Sequence, residues 1–411
     1  MLKKINPLII QFVLFILTVF TATLVGASWV GVSEPTDTFW TFFSRGFDYS
    51  IPFLGILTVH EFGHYLMAKH YKVEVTLPYY IPLYLPFAEM IQIGTMGAFI
   101  RMKGRSSSRK EIFDIGVAGP LAGFFAALIV LFYGFTNLPE PSYIFKIHPE
   151  YEVYGKNYAD SVYTDSFHKK ILYKEIQKIK DSTEREHSMV VMQEPTVVFG
   201  LGKNLLFLFF EKFVVQDKSR IPNSYEMYHY PFIFAGYLAL FFTALNLIPI
   251  GQLDGGHIIY GLFGYKKHKF ISRTIFTTLI FVLGLGIFKD NILNINFFTA
   301  SYLNMLYFAA FYLSFLYFVL EKTFKDSKTV LMISVIIFAA QFLAEIIFPK
   351  IEGGMGLILF AILIGRFMGV EHPPAMVEEP LDFKRKLIGW TSLVILILCF
   401  TPQVFTFNIL K

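Results

Sequence analysis

A single cysteine, Cys399, stands among the 411 residues, which excludes an internal disulfide framework and any cysteine-rich zinc ribbon. Charge is scarce as well. Asp, Glu, Lys and Arg supply 16% of the chain, well below the roughly 25% of soluble domains. The formal charge of +5 is modest, so no nucleic-acid partner is expected, and the basic residues read as markers of membrane orientation. No internal repeat of useful period is present, which excludes a solenoid. Apolar residues are abundant: 55% of the chain is hydrophobic and 18% aromatic. The aromatic rings, 48 of them phenylalanine, read as lipid-facing or helix-packing groups without a function of their own. Cys399 lies in an apolar run and reads as a small packing residue.

The apolar residues gather into runs of the roughly 20 residues that a helix needs to cross a bilayer. The first run, residues 7–30, follows Lys3 and Lys4. It is too long for a signal-peptide core and no small-residue cleavage site follows it, so it reads as a transmembrane helix. Further runs lie near 51–71, 112–135, 231–250, 270–288, 302–320, 330–348, 356–370 and 387–407. The pattern predicts an all-α polytopic membrane protein with about nine transmembrane helices. The basic clusters at 3–4, 101–110, 266–273, 322–328 and 384–386 then fall on one side, expected to be the cytoplasm, with the N-terminus there too. Residues 32–48 and 289–301 are poor in Lys and Arg, as outer loops should be. No Arg- and Ser-rich transit segment precedes the first run, which favours a bacterial inner membrane over an organelle.

Two stretches interrupt this pattern. In "TLPYYIPLYLPFAEM", Pro78, Pro82 and Pro86 oppose a continuous helix, and "IQIGTMGAFIRM" then alternates as a strand or hairpin does. Non-helical backbone at membrane depth is tolerated only inside protein or along a cavity, so a strand here would mark an interior groove. The other stretch is a polar insert over residues 137–229, expected outside the cytoplasm. In it, "SFHKKILYKEIQKIKDSTEREH" reads as a solvated helix and "GLGKNLLFLFFEKF" as an amphipathic helix at the bilayer surface. No persuasive run of alternating strands is visible there.

Chemistry concentrates in "LTVHEFGHYLMAKHY". Ionisable side chains are costly at membrane depth and need partners. His60 and His64 are four residues apart and share one helical face, so both imidazoles can point at one ion. Glu61 projects about 100° away, near enough to take a proton from an attacking water without ligating the ion itself. This is the arrangement of zinc hydrolases. Two imidazoles leave a tetrahedral zinc one protein ligand short. The candidate is Asp254 in "ALNLIPIGQLDGGH", where Pro249 ends a helix and Gly255 and Gly256 free the backbone. His257 competes as a ligand, and Asp254 alone would read as a helix cap. Asn246, one turn before Pro249, can donate to a substrate carbonyl or developing oxyanion, or simply bridge two helices.

His60-Glu61-Phe62-Gly63-His64 together with Asn246, Pro249 and Asp254-Gly255 resembles the paired signatures of the site-2 protease family of intramembrane zinc metalloproteases. "GTMGAFIRM" and "DIGVAGPLAGFFAAL" resemble that family's re-entrant β element and third core helix, and the resemblance covers residues 51–135 and 231–265. The later "EHPPAMVEEPLDFKRKLIGW" and the extra C-terminal spans resemble the branch of chloroplast EGY-type proteases and their bacterial relatives. The resemblance implies one zinc ion per chain on His60, His64 and Asp254, with Glu61 as general base and Asn246 helping to hold substrate. It also implies cleavage of a peptide bond in or near a transmembrane segment of a membrane-protein partner within the lipid bilayer. A helical substrate hides its amides and must unwind before attack. Strand pairing with Gln92, Gly94, Thr95, Met96, Gly97 and Ala98 would satisfy the freed groups.

The resulting organisation is a first transmembrane helix and outer loop (1–50), a first part of the catalytic core (51–136) and the polar insert (137–229). A second core part (230–265) and C-terminal helices with a cytoplasmic His372-Pro373-Pro374 loop (266–411) complete it. His372 reads as a turn cap or a second regulatory site, and His70 as a side chain reaching for the interface. Two rivals carry the same residues: an ion transporter using the His/Asp cluster, and a protease-like scaffold that binds without cutting.

Overall fold

The computed structural model describes residues 6–31, 37–85, 92–103, 108–178, 196–289, 302–324, 326–351, 353–354, 357–401 and 403–410. Asn6 starts the first long helix, α1 (Pro7–Val30), by accepting from the Leu8 amide at 3.1 Å, and Pro7 occupies the first turn, where a missing N–H costs nothing. A short helix (Phe39–Arg45) leads into α2 (Phe47–His70). The Ser108 hydroxyl accepts from the Glu111 amide to begin α3 (Arg109–Thr136). Next come α4 (Pro231–Leu247) and α5 (Asp254–Leu283), the latter broken at Gly264, whose φ is 76°. α6 (Tyr302–Leu320), α7 (Ser327–Ile347) and α8 (Phe383–Cys399) follow. Between the last two lies a shorter apolar helix, Ile358–Met368.

Among the described residues, four helices are long and apolar enough to cross a membrane: Pro7–Val30, Arg109–Thr136, Leu303–Leu320 and Ser327–Ile347. α2 matches α1 in length at 24 residues, yet carries His60, Glu61 and His64, and α4 has 17 residues. Large apolar side chains stand on the open surface of these helices, Phe12 at 66% and Ile129 at 71% exposure. Surface of that kind needs a non-aqueous neighbour, and it marks a membrane protein.

Two apolar cores divide the molecule. Tyr49, Phe113, Phe124, Phe135, Phe234 and Tyr237 fill the first, among α1 to α4. Phe276, Ile280, Phe288, Leu316 and Ile337 fill the second, among the C-terminal helices. α5 joins them: Ile258, before the Gly264 break, belongs to the first core, and Phe276, after it, to the second. Arg385 of α8 pairs with Asp114 of α3 at 2.7 Å, and Tyr71 donates to the same carboxylate.

The segment after α2 is an antiparallel ribbon. β1 (Glu74–Val75) pairs with β4 (Met102–Lys103), and β2 (Tyr79–Pro82) pairs with β3 (Thr95–Phe99), Tyr80 lying opposite Ala98. α1 braces it through three side chains. Gln11 donates to the Leu77 carbonyl, Thr21 to that of Gly94 and the Trp29 indole to that of Gln92, each at 2.7 Å.

Two expectations need correction. The last apolar run does not continue as helix to residue 407: α8 ends at Cys399, and Phe405–Leu410 forms a strand, β6. Its sequence, Phe-Thr-Phe-Asn-Ile-Leu, alternates with a period of two and is rich in residues that favour strands. The insert, whose sequence shows no persuasive run of alternating strands, supplies the partner: β5 (Thr196–Leu201) pairs antiparallel with β6 over six residues, Thr196 opposite Leu410. Elsewhere in the insert a helix covers Asp165–Lys178, and the rest of the expected solvated helix, like the expected outer loop at 290–301, lies outside the described residues. The expected amphipathic helix is short, Leu205–Phe209 with a π-turn to Val214. It buries Phe207 and Phe210 and exposes Leu205, Leu208 and Phe213.

Because β5 pairs with no other strand among the described residues, removing residues 405–411 is expected to raise amide exchange across 196–201 at least tenfold. Exchange in α4 should stay within twofold of wild type in the same hydrogen–deuterium measurement.

Candidate active site

Glycine sets the distance between α2 and α3. A Cβ on Gly63 would come within 2.6 Å of the Ala118 carbonyl oxygen. On α3, a Cβ at Gly119 would fall into the His64 imidazole, and one at Gly123 would meet His60 at 3.0 Å. A Cβ at Gly116 would strike His257. Positions 116, 119 and 123 follow helical spacing, so α3 offers one smooth face on which imidazoles lie where side chains would otherwise stand.

Against that face, His60 Nε2 and His64 Nε2 are 3.2 Å apart. Asp254, the first residue of α5, brings Oδ2 to 3.3 Å from His60 and Oδ1 to 3.3 Å from His64. Its approach depends on the turn after α4, where Gly251 takes φ of 53° and donates its N–H to the Ser272 hydroxyl at 2.7 Å. The His64 Nδ1–H donates to the Ile115 carbonyl at 2.7 Å, which leaves the Nε2 lone pair directed at the other two groups. Two imidazole nitrogens and a carboxylate oxygen therefore converge in a buried space. A tetrahedral zinc ion with bonds of about 2.0–2.1 Å places its ligand atoms about 3.3 Å apart; the imidazole nitrogens are 3.2 Å apart and each has one Asp254 oxygen at 3.3 Å, so the donor set fits that ion.

Glu61 is buried, at 6% exposure, and shares a cleft wall with His60, Thr95, Met96, Gly97, Ala98 and Asn246. The Asn246 Nδ2 is 3.4 Å from His60 Nε2. Of the six ribbon residues expected to meet substrate, Thr95 to Ala98 line this cleft and Gln92 and Gly94 do not. The Gln92 side chain bonds the Leu85 backbone in both directions, and Gly94 packs on Ala22 of α1. His257 stands outside the converging set, its ring centroid 4.9 Å from that of His372. His372 is held at its own turn by the Pro373 carbonyl, and His70 is exposed at the end of α2.

Sequence reading passed over the glycines of α3 as site residues, although their spacing in "GVAGPLAG" carries the signal. It also passed over Gln11, Thr21 and Trp29. Those side chains grip backbone carbonyls, which leave no trace in a sequence.

The family model for peptidase family M50 matches residues 49–288, more than half of the chain. The chain belongs to peptidase family M50. The match runs from the first turns of α2 to just beyond α5 and contains every residue of the cluster and cleft. Among curated relatives of this M50 chain, the probable zinc metalloprotease EGY1, chloroplastic, of Arabidopsis thaliana is 30% identical over 217 residues, which is 51% of this chain and 28% of the relative. The probable zinc metalloprotease EGY2, chloroplastic, of Oryza sativa subsp. indica is 25% identical over 57% of this chain and 32% of the relative. EGY1 of Oryza sativa subsp. japonica is 25% identical over 68% and 41%. The chain thus spans between about a quarter and two fifths of the length of these relatives. No solved structure matches it.

The glycine face gives a direct test. Gly119→Ala should lower zinc affinity at least tenfold, measured by competition with a chelating dye. Gly55→Ala, whose added Cβ meets nothing within 4 Å, should leave it unchanged.

Proposed function

We propose that this M50 member is an intramembrane zinc metalloprotease that hydrolyses a peptide bond in or near a transmembrane segment of a membrane protein. One observation carries the reading: His60, His64 and Asp254 converge, and His60 lines a cleft whose wall also holds Glu61, Asn246 and Thr95 to Ala98 of β3. The names of the relatives, zinc metalloproteases, support it.

In this reading His60, His64 and Asp254 hold one zinc ion, which when bound acidifies water and polarises a peptide carbonyl. Glu61 takes the proton of the attacking water and returns it to the leaving amine. The Asn246 amide donates a hydrogen bond to the carbonyl oxygen as negative charge grows there. Phe53, Ile56 and Phe242 line the same cleft and exclude bulk water, which strengthens each of these interactions. β3 pairs with β2 alone among the described residues, so its other edge can take an unwound substrate strand. An ion carrier would have no use for a carboxylate beside the ligands, and a scaffold would need no base.

The wider architecture belongs to the same proposal. About nine helices cross the bilayer, the β1–β4 ribbon re-enters it beside the cleft, and core parts 51–136 and 230–265 flank an insert, 137–229, on the outer side. The basic loops support an N-terminus on the cytoplasmic side, in a bacterial-type inner membrane.

Two variants test the roles on a tagged model membrane substrate. Glu61→Gln should retain one equivalent of zinc at this site and lose cleavage by a factor of at least about 10³; retained cleavage would refute the base. Ala98→Pro should keep the zinc and cut the rate at least tenfold, and an unchanged rate would refute strand pairing. Thr95 is the poorer probe, because its hydroxyl donates to the Ile81 carbonyl at 2.8 Å and its loss would disturb the ribbon itself.

A further inference from the structure

A second set of metal-ligating side chains lies in the insert, outside everything described above. His148, Glu226 and His229 direct one atom each at a common point. His148 Nε2 is 3.3 Å from His229 Nε2 and 3.6 Å from Glu226 Oε2, and His229 Nε2 is 3.4 Å from the same oxygen. These separations are close to the roughly 3.3 Å edge of a tetrahedral zinc site, and they nearly repeat those of the first cluster.

The surroundings fix what each atom can offer. The His229 Nδ1–H donates to the Trp29 carbonyl at 2.7 Å, so its Nε2 presents a lone pair. His148 Nδ1 faces the Glu150 carboxylate at 3.3 Å, which holds the proton on that nitrogen and leaves the other free. Glu226 is 1% exposed; its Oε1 accepts from the Tyr163 hydroxyl, while its Oε2 is buried with no hydrogen-bond partner among the described residues. Three acceptors thus meet with no donor among them. Buried polar atoms are rarely left so, and a buried carboxylate oxygen facing two lone pairs calls for a cation.

We propose that His148, Glu226 and His229 form a second divalent metal site, selective for zinc or a similar borderline cation, that staples the two ends of the insert together. Two imidazoles with one carboxylate are the donors such ions prefer, and the partly open His148 side leaves room for water as a fourth ligand. The staple joins residues 81 apart in sequence, one just after α3 and the other just before α4, and so closes the insert as a loop.

The alternative occupant is a proton shared between an imidazolium and Glu226, which zinc uptake distinguishes from a metal ion.

The test is zinc content by mass spectrometry on the purified full chain in detergent, after chelation and reloading with Zn²⁺ alone. Wild type should take up two equivalents. His60→Ala/His64→Ala should take up one, and adding Glu226→Gln to that chain should abolish it. Glu226→Gln alone should also take up one, which in addition shows that the chain has folded. No uptake in His60→Ala/His64→Ala, or undiminished uptake in Glu226→Gln, overturns the second site. Failure of the first cluster reads differently, because His60→Ala/His64→Ala would then bind as much zinc as wild type. Limited trypsin digestion of wild type needs no variant: Zn²⁺ should slow cleavage within 137–229 at least fivefold relative to the chelated chain, and no protection would refute the staple.

Discussion

Imidazoles buried on one helix need room where a neighbouring helix would otherwise present side chains, and the contact between α2 and α3 provides it with glycine. Burying ionisable groups costs several kcal/mol apiece unless partners are placed accurately. The first cluster answers that cost in three dimensions: Gly119 and Gly123 make room for the rings, Ile115 fixes one ring's tautomer, and Asp254 arrives from a third helix. A methyl group on α3 would push the imidazoles off the point where the lone pairs meet. The chemistry therefore rests on atoms that are absent.

The ribbon beside the cleft depends on a different helix. Open strands inside a membrane protein need their polar groups satisfied. α1 supplies three donors, Gln11, Thr21 and Trp29, along its length. Positions 11 and 29 are eighteen residues apart, five full turns, and so point in the same direction. α1 thereby does more than anchor the chain, since it holds one side of the ribbon and leaves β3 facing the cleft.

Much of this was legible in the sequence, for reasons that differ by element. The long apolar runs gave the helices because length and composition are local properties. The motif at 60–64 and Asp254 with its glycines were readable because residue type and spacing constrain metal chemistry tightly. The ribbon was legible from prolines that oppose helix and from alternation at 91–102. The β5–β6 pair was not: its strands are some two hundred residues apart and the second hides in the tail of an apolar run. The outer histidine cluster was equally invisible, because His148 and His229 join only through tertiary structure and neither sits in a local motif. Gln92 and Gly94, expected in the substrate set, do not line the cleft, and their backbone carbonyls accept from Trp29 and Thr21 of α1.

The two clusters share one plan and differ in what surrounds it. In each, a histidine gives its Nδ1–H to a backbone carbonyl and turns Nε2 inward, and a carboxylate closes the set. The inner one opens on a cleft with a free carboxylate in its wall, as chemistry requires. At the outer one the spare carboxylate oxygen is tied to Tyr163, and the neighbouring carboxylate, Glu150, is engaged with His148 Nδ1. That arrangement suits holding rather than reacting. Trp29 stands between them: its carbonyl accepts from His229, and its indole donates to the Gln92 carbonyl at the entry to β3. One residue at the end of α1 therefore touches both the outer cluster and the ribbon that borders the cleft.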